Sequence, residues 1–233
     1  MTMKKSMFAL PAVLALAAGS LLADPVPVLT VQQVDAKDTA AYVAMIAKIN
    51  TLVKARAGIE RYRHVWEGDF AGDSSHAVFV VSTYPSAADI YRIDDKLKNY
   101  PEMDVLLEQL KDTRHLGASE LYKAVRNDGV YEGGAVFNTS VAVTDEDAYL
   151  KALDELKAIF DANGFKDSKI SLYREIAGRT SATHLVVISL PSQARVAELL
   201  DAISDKALLK DWYVTAAKVR TSLANGTYHE ITK

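Results

Sequence analysis

The sequence predicts an α+β protein: two tandem β-α-β-β-α-β repeats whose sheets close on each other into one intramolecular barrel, with the helices outside. Three observations lead there. "SHAVFVVSTYP" at 75–85 is echoed by "THLVVISLP" at 183–191. The echo extends along the chain, with Tyr42 on Tyr149, Gly58 on Gly164, His76 on His184, Pro85 on Pro191, Arg114 on Arg220 and Tyr122 on Tyr228, always 106 to 108 residues apart. A period of that length marks a duplicated domain rather than a solenoid. Finally, the echoed strands are apolar on both faces, so both faces must be covered.

The elements of the first copy follow in order. "VPVLTVQQV" (26–34) is strand-like. After Asp35 to Asp38, Tyr42, Met45, Ile46, Ile49 and Val53 recur at helical spacing, and "AG" at 57–58 stops the helix. "IERYRHVWE" alternates with period two and "HAVFVVSTY" is a continuous apolar strand, joined by the turn-rich "GDFAGDSS". Ser86 to Asp89 has the form of a capping box ahead of a helix through Ile90, Ile93 and Leu97, and Pro101 opens a further helical stretch with Met103, Leu106, Leu107 and Leu110 on one face. "SELYKAV" closes the unit as a strand.

The second copy repeats the plan. "GAVFNTSVAV" is a strand, Thr144 begins a helix carrying Tyr149, Leu153, Leu156 and Phe160, and "NG" at 163–164 supplies a left-handed stop. "SKISLYRE" and "THLVVISL" are the paired strands, "SQARVAELLDAI" and "KALLKDWYVTAAKVR" the helical stretch, and "GTYHEIT" the last strand. The expected organisation is a signal peptide at 1–23, repeat one at 24–125, a linker at 126–133 and repeat two at 134–233.

The leader carries Lys4 and Lys5 ahead of an apolar run from Met7 to about Ala18, with small residues up to a cleavage point after Ala23. The run is short of the roughly 20 residues that span a bilayer. It reads as a bacterial secretory signal, leaving a soluble periplasmic or secreted protein with no stable membrane anchor after cleavage. Losing Lys4 and Lys5 takes the charge from -3 to -5, and no basic cluster remains to bind nucleic acid. The chain has no cysteine, which excludes disulfides, a thiolate nucleophile and Cys-ligated metal.

β-α-β-β-α-β is the ferredoxin-like plan, a four-stranded antiparallel sheet with helices on one face only. In order and spacing of elements the whole mature chain resembles the dimeric α+β barrel superfamily, in particular its antibiotic-biosynthesis-monooxygenase-like and NIPSNAP-like members, here as a fused pseudo-dimer. That resemblance implies a ligand held between the two sheets, with cofactor-independent monooxygenation of an aromatic substrate or haem binding as alternatives. The G-x-x-D-G motif of the dye-decolourising peroxidases is missing.

The residues themselves offer modest chemistry. His64, His76, His115, His184 and His229 form no metal-binding spacing, so no metal or cofactor is expected from sequence, although His76 and His184 could meet across the pseudo-twofold. No nucleophile elbow, Walker loop or dinucleotide fingerprint is present. Alternation in "ERYRHVWE" puts Glu60, Tyr62, His64 and Trp66 on one face, an aromatic lining around a group titrating near neutrality. The matching face of copy two reads Ser168, Ile170, Leu172 and Arg174, with Leu172 opposite number to His64. The candidate ligand-binding residues are therefore Tyr62, His64 and Trp66 with His76 and His184, in a protein whose partner is a small, partly apolar molecule. Arg114/Tyr122 and Arg220/Tyr228, each R-x7-Y, read as structural pairs.

Overall fold

A computed structural model of the chain describes residues 27–59, 63–71, 78–178, 181–204 and 206–232. The leader therefore lies outside the described residues, as do Tyr62 and His76. Repeat one runs β1 (Val28–Ala36), α1 (Thr39–Ala57), β2 (His64–Phe70), β3 (Val78–Tyr84), α2 (Ala87–Leu97), α3 (Pro101–Lys111) and β4 (Arg114–Arg126). Repeat two runs β5 (Ala135–Val143), α4 (Glu146–Ala162), β6 (Lys169–Ala177), β7 (His184–Leu190), α5 (Gln193–Ser204), α6 (Lys206–Ala216) and β8 (Arg220–Glu230).

The local signals act as their chemistry dictates. Asp38 accepts a hydrogen bond from Ala41 N at 3.0 Å and Asp145 one from Ala148 N at 2.9 Å, so the same cap opens the first helix of each repeat. Gly58 (φ 73°) ends α1, and Gly164 (φ 89°) takes the left-handed position just past α4. The Ser86 capping box does not close on the backbone. Its hydroxyl instead donates to Asp89 Oδ2 at 2.6 Å.

All eight strands form one closed antiparallel barrel in the order β1-β3-β2-β8-β5-β7-β6-β4, with β4 returning to β1. Each repeat contributes a four-stranded sheet, and closure comes from two seams between repeats, β2 with β8 and β4 with β6. The helices lie outside. Val34, Tyr42, Ile46, Ile49, Val65, Val78 and Val80 pack between sheet and helices in repeat one, and Tyr149, Leu153, Phe160, Ile170, Leu172 and Ile188 do so in repeat two. A third cluster, with Leu29, Trp66, Tyr122, Val136, Tyr173 and Val187, fills part of the barrel interior. β3 thus sends Val78 and Val80 to the helices and Phe79 and Val81 inward, which is why it is apolar throughout.

The arginines of the R-x7-Y pattern take different partners from those expected. Arg114 Nη1 donates to Tyr42 Oη at 3.2 Å, and the Arg220 guanidinium lies 5.7 Å from the Tyr149 ring centroid. Tyr122 and Tyr228 face the interior instead. The tyrosine stands eight residues beyond the arginine, an even step, but a β-bulge between them, from Leu116 to Ser119 in β4 and from Ser222 to Ala224 in β8, turns the two side chains to opposite faces of the sheet.

Each repeat alone would present two unpaired strand edges and an uncovered apolar inner face. Residues 27–126 expressed by themselves are therefore expected to dimerise or aggregate. Sedimentation showing a stable, folded monomer would contradict the closure argument.

Candidate functional site

The barrel interior holds a cavity of about 310 Å3. Its apolar wall includes Leu29, Val31, Phe79, Val81, Val136 and Val187, and its polar groups come from His64, Glu120, Asn127, Asn138 and the tyrosines 122, 173 and 228. β2 supplies His64 and Trp66, the inward members of its alternation, while Val65 between them packs under the helices. Asn127, Gly129 and Val130 bring the inter-repeat segment into the lining as well.

His64 is held by a carboxylate that sequence spacing did not indicate. Its Nδ1 lies 2.8 Å from Glu230 Oε1, across 166 residues of chain, and the Glu230 side chain has no solvent exposure. The seam brings them together, because β8 runs beside β2 with Glu230 opposite Trp66. Glu230 Oε2 accepts from Gly133 N at 2.8 Å, and Oε1 accepts from Thr232 Oγ1 at 3.3 Å. Thr232 Oγ1 itself accepts from Val65 N at 2.7 Å. Surrounded by donors, Glu230 is satisfied as a carboxylate. It then requires the proton of His64 on Nδ1, which makes Nε2 the acceptor of the neutral ring. Nε2 has no hydrogen-bond partner among the described residues, so a lone pair on a nitrogen borders the cavity.

A second polar couple lies on β4, where Tyr122 Oη donates to Glu120 Oε2. The amide oxygen of Asn138 is buried without a hydrogen-bond partner in the cavity wall, and buried acceptors in folded proteins ordinarily have one. Tyr173 Oη donates to Asn127 Oδ1 at 3.0 Å and ties the inter-repeat segment to β6. Tyr228 stacks edge-on against Phe79 with centroids 5.2 Å apart. A Cβ at Gly226 would approach Tyr228 Oη to 2.7 Å, so glycine is needed there to make room for the ring.

His184 does not join this group. It is buried on the outer face of β7, with Nε2 2.8 Å from Glu146 Oε2 at the start of α4 and Nδ1 2.8 Å from Thr183 Oγ1. Its neighbours Leu185 and Val187 are the residues that face inward. Barrel register explains why the echo misled. His64 pairs with Val81 and Trp66 with Phe79, as Ser171 pairs with Val187 and Tyr173 with Leu185, so the true counterparts of His64 and Trp66 are Ser171 and Tyr173. Leu172, matched to His64 by sequence, points under the helices with Ile170. A shift of one residue exchanges the faces of a strand.

The chain matches no family model and no curated protein. Its fold does have counterparts among solved structures. A protein assigned as a monooxygenase from Lactobacillus acidophilus superposes with a TM-score of 0.55 over 88% of this chain and 94% of its own, at 11% identity. One assigned as a chlorite dismutase gives 0.54 over 89% and 96% at 9% identity. A haem-binding protein from Thermus thermophilus gives 0.54 over 88% and 91% at 8% identity. The common feature is the fold, the dimeric α+β barrel, closed here within one chain.

Glu146 generates a prediction about acid stability. The bidentate Arg174 holds its carboxyl below the ordinary value of 4.5, with His184 adding to that effect against a burial contribution that raises it. A depressed carboxyl contributes stability that is complete above its unfolded pKa and is lost as pH falls through the folded one. Urea midpoints measured from roughly pH 7 down to pH 3 should show this loss on the acid side. Glu146→Gln should flatten that limb, and an unchanged acid limb would show that the pair contributes nothing.

Proposed function

We propose that this chain is an exported, soluble barrel protein that binds a small, partly apolar molecule between its two sheets. The observation that carries the reading is the interior cavity with an oriented imidazole, the His64 ring held by buried Glu230 with Nε2 left toward the space. Pockets that take small ligands are largely apolar, with a few placed polar groups. Here Trp66, Phe79 and Tyr228 offer ring surface, His64 Nε2 an acceptor for a ligand hydroxyl or N–H, and Asn138 Oδ1 a second acceptor. A phenol or enol with one or two fused rings has the matching shape and donors.

A second reading, in which the protein turns its ligand over, is favoured by the same nitrogen. A carboxylate-oriented imidazole is the arrangement of a general base. In that reading His64 Nε2 takes a proton from an activated C–H or O–H of the aromatic substrate, and the resulting anion donates an electron to dioxygen, the co-reactant of cofactor-independent monooxygenation.

The described residues suit haem less well. His64 offers a nitrogen backed by a carboxylate, as metal-binding histidines have. Against that, no Arg or Lys among the described lining residues would meet the propionates. The cavity also lies at the small end of the roughly 300–1,000 Å3 usual for ligand sites. Among the described residues no helix is long and apolar enough to cross a membrane, and no cluster of His, Cys, Asp or Glu is placed to hold a metal ion.

The test is native mass spectrometry and an absorption spectrum of the protein purified from its own periplasm. A co-purifying aromatic mass, retained by the wild type and lost from His64→Leu, supports the reading. Losing a hydrogen bond of this kind costs about 1–3 kcal/mol, which is roughly fivefold to a hundredfold in affinity. A Soret band would instead establish haem, and a ligand-free protein that binds no aromatic probe would leave the cavity as packing.

Export has its own check. The mature N-terminus is expected near Asp24 by terminal sequencing, and intact residues 1–23 on a membrane-bound protein would refute it.

A further inference from the structure

We propose that a second site, between the sheet and helices of repeat two, binds a small aromatic carboxylate through Arg220. This space of about 250 Å3 lies on the opposite side of the barrel wall from the cavity of His64. Its walls are Phe137, Leu153, Phe160 and Ile188, and its polar end is formed by Arg220, Tyr149 and Ser222. An apolar cavity of about 150 Å3 is known to admit benzene, so a single ring with a carboxyl group is of the right size.

Arg220 is the reason for expecting an anion. Its guanidinium sits 5.0 Å from the Trp212 ring centroid and 5.7 Å from that of Tyr149, and Nη1 donates to Ser222 Oγ at 2.8 Å. Its Nε is buried with no acceptor, and no carboxylate among the described residues pairs with it. Arg126, Arg174 and Arg195 each have one. A partly buried guanidinium without a counter-charge is costly unless an anion joins it, and the planar fork suits a carboxylate.

Comparison between the repeats sharpens the inference. In repeat one, Arg114 closes on the Tyr42 hydroxyl. The equivalent Tyr149 hydroxyl has no partner among the described residues. Burial pushes its pKa up to about 12, so it remains a neutral donor at physiological pH. Counting back from the paired arginines, Trp212 and Tyr213 occupy the positions of Leu106 and Leu107. Trp212 is fixed by its Nε1, which donates to Ala152 O at 2.6 Å, and Tyr213 packs edge-on against it at 5.2 Å. Repeat two has thus gained aromatic surface and kept an uncommitted donor beside the same arginine.

The chain has two tryptophans, so Trp66→Phe leaves Trp212 as the sole reporter. In that background, titration with benzoate should change the Trp212 emission saturably, and neutral benzamide should bind at least tenfold more weakly. Arg220→Met should weaken benzoate at least tenfold, and Tyr149→Phe, which removes one oxygen and keeps the ring, severalfold. Absence of a saturable signal overturns the proposal. So does benzoate binding, followed by calorimetry in the wild-type chain, that survives both of these substitutions but is lost in His64→Leu, since that would place the anion in the barrel interior. Conversely, failure of the His64 reading leaves this site intact, because the two share neither cation nor reporter.

Discussion

Edge pairing between the repeats is the constraint on which the remaining structure depends. A four-stranded sheet covered by helices on one face leaves two exposed edges and a bare apolar face, and pairing β2 with β8 and β4 with β6 removes both problems at once. Closure creates an interior, and the side chains that happen to point inward then become core, site or both. Leu29, Tyr122, Val136 and Tyr173 pack together there and also wall the cavity. His64 turns its lone pair toward the remaining space.

The two seams are related by the duplication, yet they have diverged. At β2 and β8 stand His64, Trp66 and Glu230; at β4 and β6 the corresponding positions are Ser171, Tyr173 and Ala124. One seam thus carries a buried carboxylate hydrogen-bonded to an imidazole and the other a smaller, uncharged set. An ionised carboxylate taken fully from water is tolerated only with donors around it, and Glu230 has the His64 ring, the Gly133 amide and the Thr232 hydroxyl. Thr232 also binds the backbone of β2, so the device that satisfies the charge holds the seam. The outer layers diverged in the opposite sense, with repeat two keeping the looser, more aromatic surroundings for its arginine.

Much of this was legible in the residues. Helical spacing, capping aspartates, left-handed glycines and doubly apolar strands are encoded within a few positions of one another, so the order of elements and the need for closure follow from local chemistry. Alternation alone placed His64 and Trp66 on one face of β2. Three things were decided only by the tertiary structure. Glu230 reaches His64 because strands 166 residues apart in sequence become neighbours at the seam. Arg114 and Arg220 meet Tyr42 and Tyr149 through helix packing rather than the strand tyrosines beside them in sequence. The counterparts of His64 and the orientation of His184 depended on register, where an ambiguity between spacings of 106, 107 and 108 residues turns a side chain from the cavity to the helices. Sequence specifies what each strand is made of; which of its two faces looks inward is settled when all eight are hydrogen-bonded into one ring, because only there does a one-residue slip carry an energetic cost.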